Sequence, residues 1–262
     1  MTLFAWIAGL YGALALAAFL GQRALMYPAP RRSASEPRAP GATLERIPSA
    51  DGTVYALHAR APDGAPTLVY FHGNGEDLSD MPGLLHAFSS AGVGFYAVEY
   101  PGYGPMADRA PTEDALYAAA AAAIDHLQKR LGVPISLTVL VGQSLGSGVA
   151  AEMARRGSAA RLVLISPYTS MVDMASQIAP FLPARVLVRD RYDTHAKAPE
   201  LSLPALVVHG SEDEVIPVKM GKRIAELLPA AKLRIVPHAG HNDLFALAPE
   251  LIQEIARFAK GD

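Results

Sequence analysis

The sequence predicts an α/β protein: a mostly parallel sheet of about eight strands with helices on both faces, preceded by an N-terminal transmembrane helix. Three observations carry this. Short apolar runs alternate with stretches of helical periodicity along most of the 262 residues. The stretch Gly142-Gln143-Ser144-Leu145-Gly146 lies between an apolar run and a helical pattern. Residues 2–21 carry no charge and are rich in Leu, Ala and Phe.

The leading segment comes first. At helical rise, about 20 apolar residues cross the ~30 Å hydrocarbon core, so residues 1–22 are read as a membrane anchor. Trp6, Tyr11 and Tyr27 suit the interfaces. The rival is a cleaved signal peptide, which would place the protein outside the cell or in the periplasm. Ala13-Leu14-Ala15 and Ala15-Leu16-Ala17 offer small-residue cleavage sites, but no Lys or Arg precedes the apolar run. An uncleaved single-pass anchor is therefore expected. Arg23, Arg31, Arg32, Arg38 and Arg46 all follow it, which by the positive-inside rule places the remainder in the cytoplasm. Residues 23–43, rich in Pro, Arg, Ser and Ala, read as an extended juxtamembrane linker, and residues 44–262 as the α/β domain.

Within that domain, residues 44–47 and 54–61 flank Asp51-Gly52 and predict a hairpin. Residues 67–71 form a short apolar strand entering the turn His72-Gly73-Asn74-Gly75. Leu84, Leu85 and Phe88 mark a helix, and residues 94–100 the next strand. Thr112 caps a helix with Glu113 and Asp114 in its first turn and Lys129 and Arg130 at its end, before Gly132. Acid first, base last and Gly beyond fit the helix dipole and C-cap. Residues 137–141, 161–165, 205–209 and 232–236 complete the strands. Residues 166–204 exceed a plain crossover and read as a small helical cap.

Strand, sharp turn, Ser, helix is the setting of a Gly-x-Ser-x-Gly nucleophile elbow. The turn lifts the Ser144 hydroxyl above the sheet, and the small flanking residues let strand and helix approach. The helix N-terminus presents N–H groups where negative charge develops. The partners follow in the order Ser, Asp, His. Asp213 lies just past the strand at 205–209, and His241 in the loop after the last strand. Ser144 is thus the candidate nucleophile, His241 its base, and Asp213 the group fixing the imidazole tautomer. Glu212 and Glu214 compete with Asp213, and His238 with His241. His72 is read as a turn-stabilising residue, its ring bonded to nearby backbone. The oxyanion donors are expected to be the backbone N–H groups of Leu145 and Asn74.

At these motifs the chain resembles the α/β-hydrolase fold. More closely it resembles the membrane-anchored BEM46-like serine hydrolases, which include the ABHD12/13/17-type proteins. The likeness runs from residues 22–28 through His72-Gly73-Asn74-Gly75, Tyr100-Pro101-Gly102-Tyr103-Gly104, residues 142–148 and 209–217, to Gly240-His241-Asn242-Asp243. Two positions depart from the pattern: Glu99 where Asp often stands, and Pro105 where a small polar residue often stands. Both are expected near the mouth of the site. The resemblance implies ester or thioester hydrolysis, with lysophospholipids, monoacylglycerols or S-acylated proteins as candidate substrates. Tyr103, Gln143, Tyr168 and Met171 are expected to shape the acyl pocket.

Composition narrows the function. Net charge is −2 and no basic run exceeds two residues, against nucleic acid as a partner. With no Cys, thiol nucleophiles and Cys-ligated metals are excluded. The eight His residues show no metal-ligand spacing, so neither a metal nor another cofactor is expected. Two other readings are a serine peptidase, which would want a larger gating domain, and a non-catalytic anchored interaction module.

Overall fold

A computed structural model describes residues 3–30 and 37–262. Eight strands form one sheet in the order β1-β2-β4-β3-β5-β6-β7-β8. They are β1 (Thr43–Ser49), β2 (Gly52–Ala59), β3 (Thr67–Phe71), β4 (Gly94–Val98), β5 (Thr138–Gln143), β6 (Arg161–Ile165), β7 (Ala205–Gly210) and β8 (Ala231–Val236). β2 alone runs against its neighbours, pairing antiparallel with β1 and β4, and every other pairing is parallel. The fold is that of an α/β hydrolase. The hairpin at Asp51-Gly52 forms as expected, with Ser49 opposite Gly52.

The central strands are buried on both faces, which is why they read as continuous apolar runs. Alternate side chains feed two cores. Val69 and Phe71 of β3 and Leu140 of β5 pack with α3 (Glu113–Lys129), α4 (Leu145–Arg155) and α8 (Val218–Leu227). Leu68, Tyr70, Val139 and Val141 face the other way, against α2 (Pro82–Ser90) and α10 (Leu251–Lys260). The Thr112 cap forms, its hydroxyl accepting from the Ala115 N–H at 3.1 Å. α8 and α10 were not anticipated, although Leu251, Ile255 and Phe258 carry helical spacing. The shorter helices are α5 (Met171–Ile178), α6 (Ala184–Leu187), α7 (Thr194–Lys197) and α9 (Leu244–Leu247).

The N-terminal helix α1 (Leu3–Met26) is long and apolar enough to cross a membrane. It runs four residues beyond the expected end of the anchor. Tyr27 is buried rather than interfacial, its hydroxyl 3.0 Å from that of Tyr192. The expected linker therefore begins inside the folded body. Arg31 and Arg32, used to orient the anchor, and the middle of that linker lie outside the described residues.

One face of α1 docks on the segment joining β6 to β7, which holds α5, α6 and α7. The Tyr11 hydroxyl donates to the Phe181 carbonyl at 3.0 Å. The Gln22 amide donates to the Leu187 carbonyl at 3.1 Å and accepts from the Arg189 N–H at 2.8 Å. Arg23 pairs with Asp190 at 2.9 Å. Asp190 is buried, so this pair is screened less than a surface one.

Candidate active site

β5 delivers Ser144 through a tight turn into α4. Ser144 has φ 50° and ψ −118°, a conformation that costs a non-glycine residue about 1–3 kcal/mol. Local bonds hold it. Its N–H donates to the Ile165 carbonyl at 2.9 Å, and its carbonyl accepts the Ser147 hydroxyl at 2.6 Å. The flanking glycines are required by space. A Cβ on Gly142 would stand 2.3 Å from the Gly146 carbonyl oxygen, and one on Gly146 2.0 Å from that of Phe71.

The two loops after β7 and β8 are laced together. Glu212 N–H donates to the Ala239 carbonyl at 2.9 Å, and His238 N–H to the Ser211 hydroxyl at 2.8 Å. This lacing sets Asp213 beside His241. His241 Nδ1 lies 2.8 Å from Asp213 Oδ2, and Nε2 lies 3.0 Å from Ser144 Oγ. With Nδ1–H donating to the carboxylate, Nε2 is left to accept from the Ser144 hydroxyl. All three side chains are nearly buried. Burial opposes ionisation of Asp213, but bonds from His209, His241 and the Ile216 N–H outweigh it and hold the carboxyl well below its ordinary range. Its Oδ1 accepts from the N–H groups of Val215 at 3.0 Å and Ile216 at 2.7 Å. The rivals sit elsewhere. Glu212 and His238 pair with each other at 2.9 Å on the exposed surface.

His209 was not singled out from the sequence. Its ring, fully buried at the end of β7, donates Nε2–H to the Ile216 carbonyl at 2.8 Å and stands 3.3 Å from Asp213 Oδ2. It ties down the loop that carries Asp213. Only its position, four residues before Asp213 on a buried strand, hinted at this.

The turn after β3 closes the site from the other side. His72 Nδ1 meets the Gly73 carbonyl at 2.8 Å, the backbone bond expected of it, and Nε2 meets Glu99 at 3.0 Å. Burial of His72 disfavours its charge, yet the bond to Glu99 prevails and its pKa is raised. Glu99 is therefore not at the mouth. It is wholly buried beneath the turn, where it also accepts from the N–H groups of Leu78 and Tyr100. The Gly73 N–H is committed to Glu76 at 2.8 Å. Asn74 and Leu145 border the same cavity as Ser144. Leu145 opens α4, so its N–H has no acceptor within the helix.

That cavity measures about 350 Å³. Met171, Met174, Ile178 and Leu182 form one side, and Val215 and Ile216 another. Tyr168 and Met171 line it as expected, whereas Tyr103 and Gln143 do not. The Tyr103 hydroxyl donates to the Asn74 carbonyl at 3.1 Å from a buried position. Gln143, half-buried at the end of β5, accepts the hydroxyl of Tyr70, a residue of the second core. Unexpectedly, Ala18, Gln22, Leu25 and Met26 of α1 complete the wall. The polar end of the apolar run, Gln22-Arg23, was the available signal.

The chain belongs to the α/β-hydrolase family, whose models match residues 68–205 (the alpha/beta hydrolase family) and 185–246 (the alpha/beta hydrolase fold). It is 35% identical over 192 residues to the alpha/beta hydrolase domain-containing protein aho-3 of Caenorhabditis elegans, covering 70% of this chain and 54% of that one. The chain thus spans about half the length of that relative. It is 32% identical over 202 residues to an uncharacterized protein of Mycobacterium tuberculosis, covering 77% of this chain and 69% of that one. Among solved structures, an esterase of Pyrobaculum calidifontis superposes with a TM-score of 0.66 at 19% identity, covering 97% of this chain and 92% of that one, a likeness of fold.

Proposed function

We propose that this hydrolase is a membrane-anchored serine hydrolase of the BEM46-like kind, cleaving carboxylic esters or thioesters of lipophilic acyl groups. The observation that carries the reading is the hydrogen-bonded line Ser144, His241, Asp213 opening on an apolar cavity. Ser144 Oγ attacks the acyl carbonyl as His241 Nε2 takes its proton, and Asp213 stabilises the resulting imidazolium. The developing oxyanion lies between the N–H groups of Leu145 and Asn74, at the positive end of α4. His241 then protonates the leaving alcohol or thiol. Water enters, gives its proton to His241 and attacks the acyl-enzyme, releasing the acid and restoring Ser144. α1 anchors the protein by a single span, with the domain on the cytoplasmic side, as the following arginines direct.

A fluorophosphonate probe should label the wild-type protein at Ser144. Ser144→Ala should lose both labelling and ester hydrolysis while its circular dichroism and melting stay unchanged. Folded Ser144→Ala protein that still turns over esters would remove the mechanism.

A further inference from the structure

The face that α1 shares with α5 and α6 bears on where the substrate comes from. Tyr11 lies twelve residues up the helix from Arg23, about 18 Å at helical rise. Phe181 is bonded beside the first and Asp190 beside the second. The α5–α6 segment therefore climbs α1 from its charged end well into its apolar stretch. If Arg23 sits at the headgroups, Phe181 lies at a depth where the bilayer is hydrocarbon.

The segment is built for that depth. Residues 174–184 carry no charged side chain. Ile178 and Phe181 are 79% and 61% exposed, in a patch continuous with α1. Exposed apolar patches of this kind mark contacts with a membrane or with another protein. Backbone polarity, the usual obstacle to an irregular segment in lipid, is largely removed. Pro180 and Pro183 have no N–H. Those of Ala179, Leu182 and Ala184 bond within the segment at 2.9–3.0 Å, and the Phe181 carbonyl takes the Tyr11 hydroxyl. Cationic side chains return only after this stretch, with Arg185, Arg189 and Arg191; the Arg189 N–H bonds Gln22, next to Arg23, and its guanidinium lies over the Phe19 ring at 5.6 Å.

We propose that the α5–α6 segment beds in the hydrocarbon of the leaflet together with α1, and that the acyl chain of a membrane lipid passes sideways from the bilayer into the cavity along Ala18, Leu25 and Met26. The anchor helix is then one wall of the acyl site. This rests on the hydrolase reading above, and it names the source of the substrate: a lipid drawn from the bilayer without crossing water.

The full chain is tested in phosphatidylcholine vesicles. Trp6 is the sole tryptophan, so Trp6→Phe with Phe181→Trp leaves one reporter at the tip of the segment. Its fluorescence should be quenched by phosphatidylcholine brominated on the acyl chains and shielded from aqueous iodide. Quenching by iodide alone would overturn the proposal, as would shielding from both quenchers, which would mean coverage by a second copy. Independently, Ala18→Trp should fill the cavity and lower the ratio of kcat/KM for long-chain over short-chain esters roughly tenfold or more, as for two methylenes left unburied. Leu16→Trp, on an exposed face of α1, should leave that ratio unaltered. Equal ratios in the two variants would refute the shared wall. Fluorophosphonate labelling separates the two readings: if Ser144 fails to label, the hydrolase reading falls, while the fluorescence still decides the depth.

Discussion

Asp213, the proposed acid, is distinguished from its neighbours by its bonds. Asp213 receives bonds from His241, Val215 and Ile216, whereas Glu212 faces solvent against His238. Asp213→Asn should lower turnover by roughly 10³–10⁴ through the wrong imidazole tautomer. Glu212→Gln should change it less than about twofold, since exposed pairs contribute little. A steady-state comparison of the two checks the assignment. The His72–Glu99 pair sets a second expectation. Because the folded pKa of His72 is raised, its charge stabilises the fold fully below the ordinary His range, and this is lost as pH rises through the raised value. Thermal melts across that window should show wild-type stability falling with pH. Glu99→Gln should flatten that slope and cost about 3 kcal/mol at the acid end. A slope unchanged in Glu99→Gln would dissociate the pair from it. At this scale the juxtaposition of Ser144, His241 and Asp213 was legible because residue type, order and strand ends are enough to bring the three together. The places of Tyr103 and Gln143 were not, because they depend on sheet pleat and on partners such as Asn74 and Tyr70, distant in sequence.

Strand and helix meet at the elbow with no room for a methyl group. Gly146→Ala drives a Cβ into the Phe71 carbonyl, so β3 and α4 must part. A loss of about 3 kcal/mol is expected from such overpacking, together with loss of probe labelling as Ser144 shifts. Chemical denaturation of Gly146→Ala beside Ser144→Ala separates the two effects, since the latter leaves the packing intact. The strands were legible because burial on both faces makes them continuous apolar runs. The short helices between β6 and β7 were legible only as an excess of length. α6 and α7 span four residues each, too few for a periodic signal.

Over the whole molecule, α1 and Tyr27 belong to the folded body. A chain shortened to begin at Ala42 should keep short-ester hydrolysis, because the bonds among Ser144, His241 and Asp213 do not involve α1. It should be less stable, by roughly 2–3 kcal/mol in chemical denaturation, for the buried Tyr27 ring and its bond to Tyr192. A chain beginning at Ala18 retains Gln22, Arg23 and Tyr27 and should recover that stability. Complete loss of short-ester turnover in a folded Ala42 chain would show that Met26, bonded to the Asn74 side chain at 3.1 Å, positions the turn. The apolarity of α1 was plain from its composition. Its docking was not, since composition carries no record of which distant residues a helix face will meet.

The contacts of α1 with the segment between β6 and β7 join residues 165 to 170 positions apart. During synthesis, α1 is complete long before Phe181 or Tyr192 exists. At 5–20 residues per second the interval is roughly 10–30 s. Through that interval a helix apolar on every side lacks the segment it docks on, and a bilayer is a medium that suits it. On the proposed anchor reading, insertion at the ribosome precedes closure of the domain, and α1 waits in the membrane for residues 181–192 to fold against it.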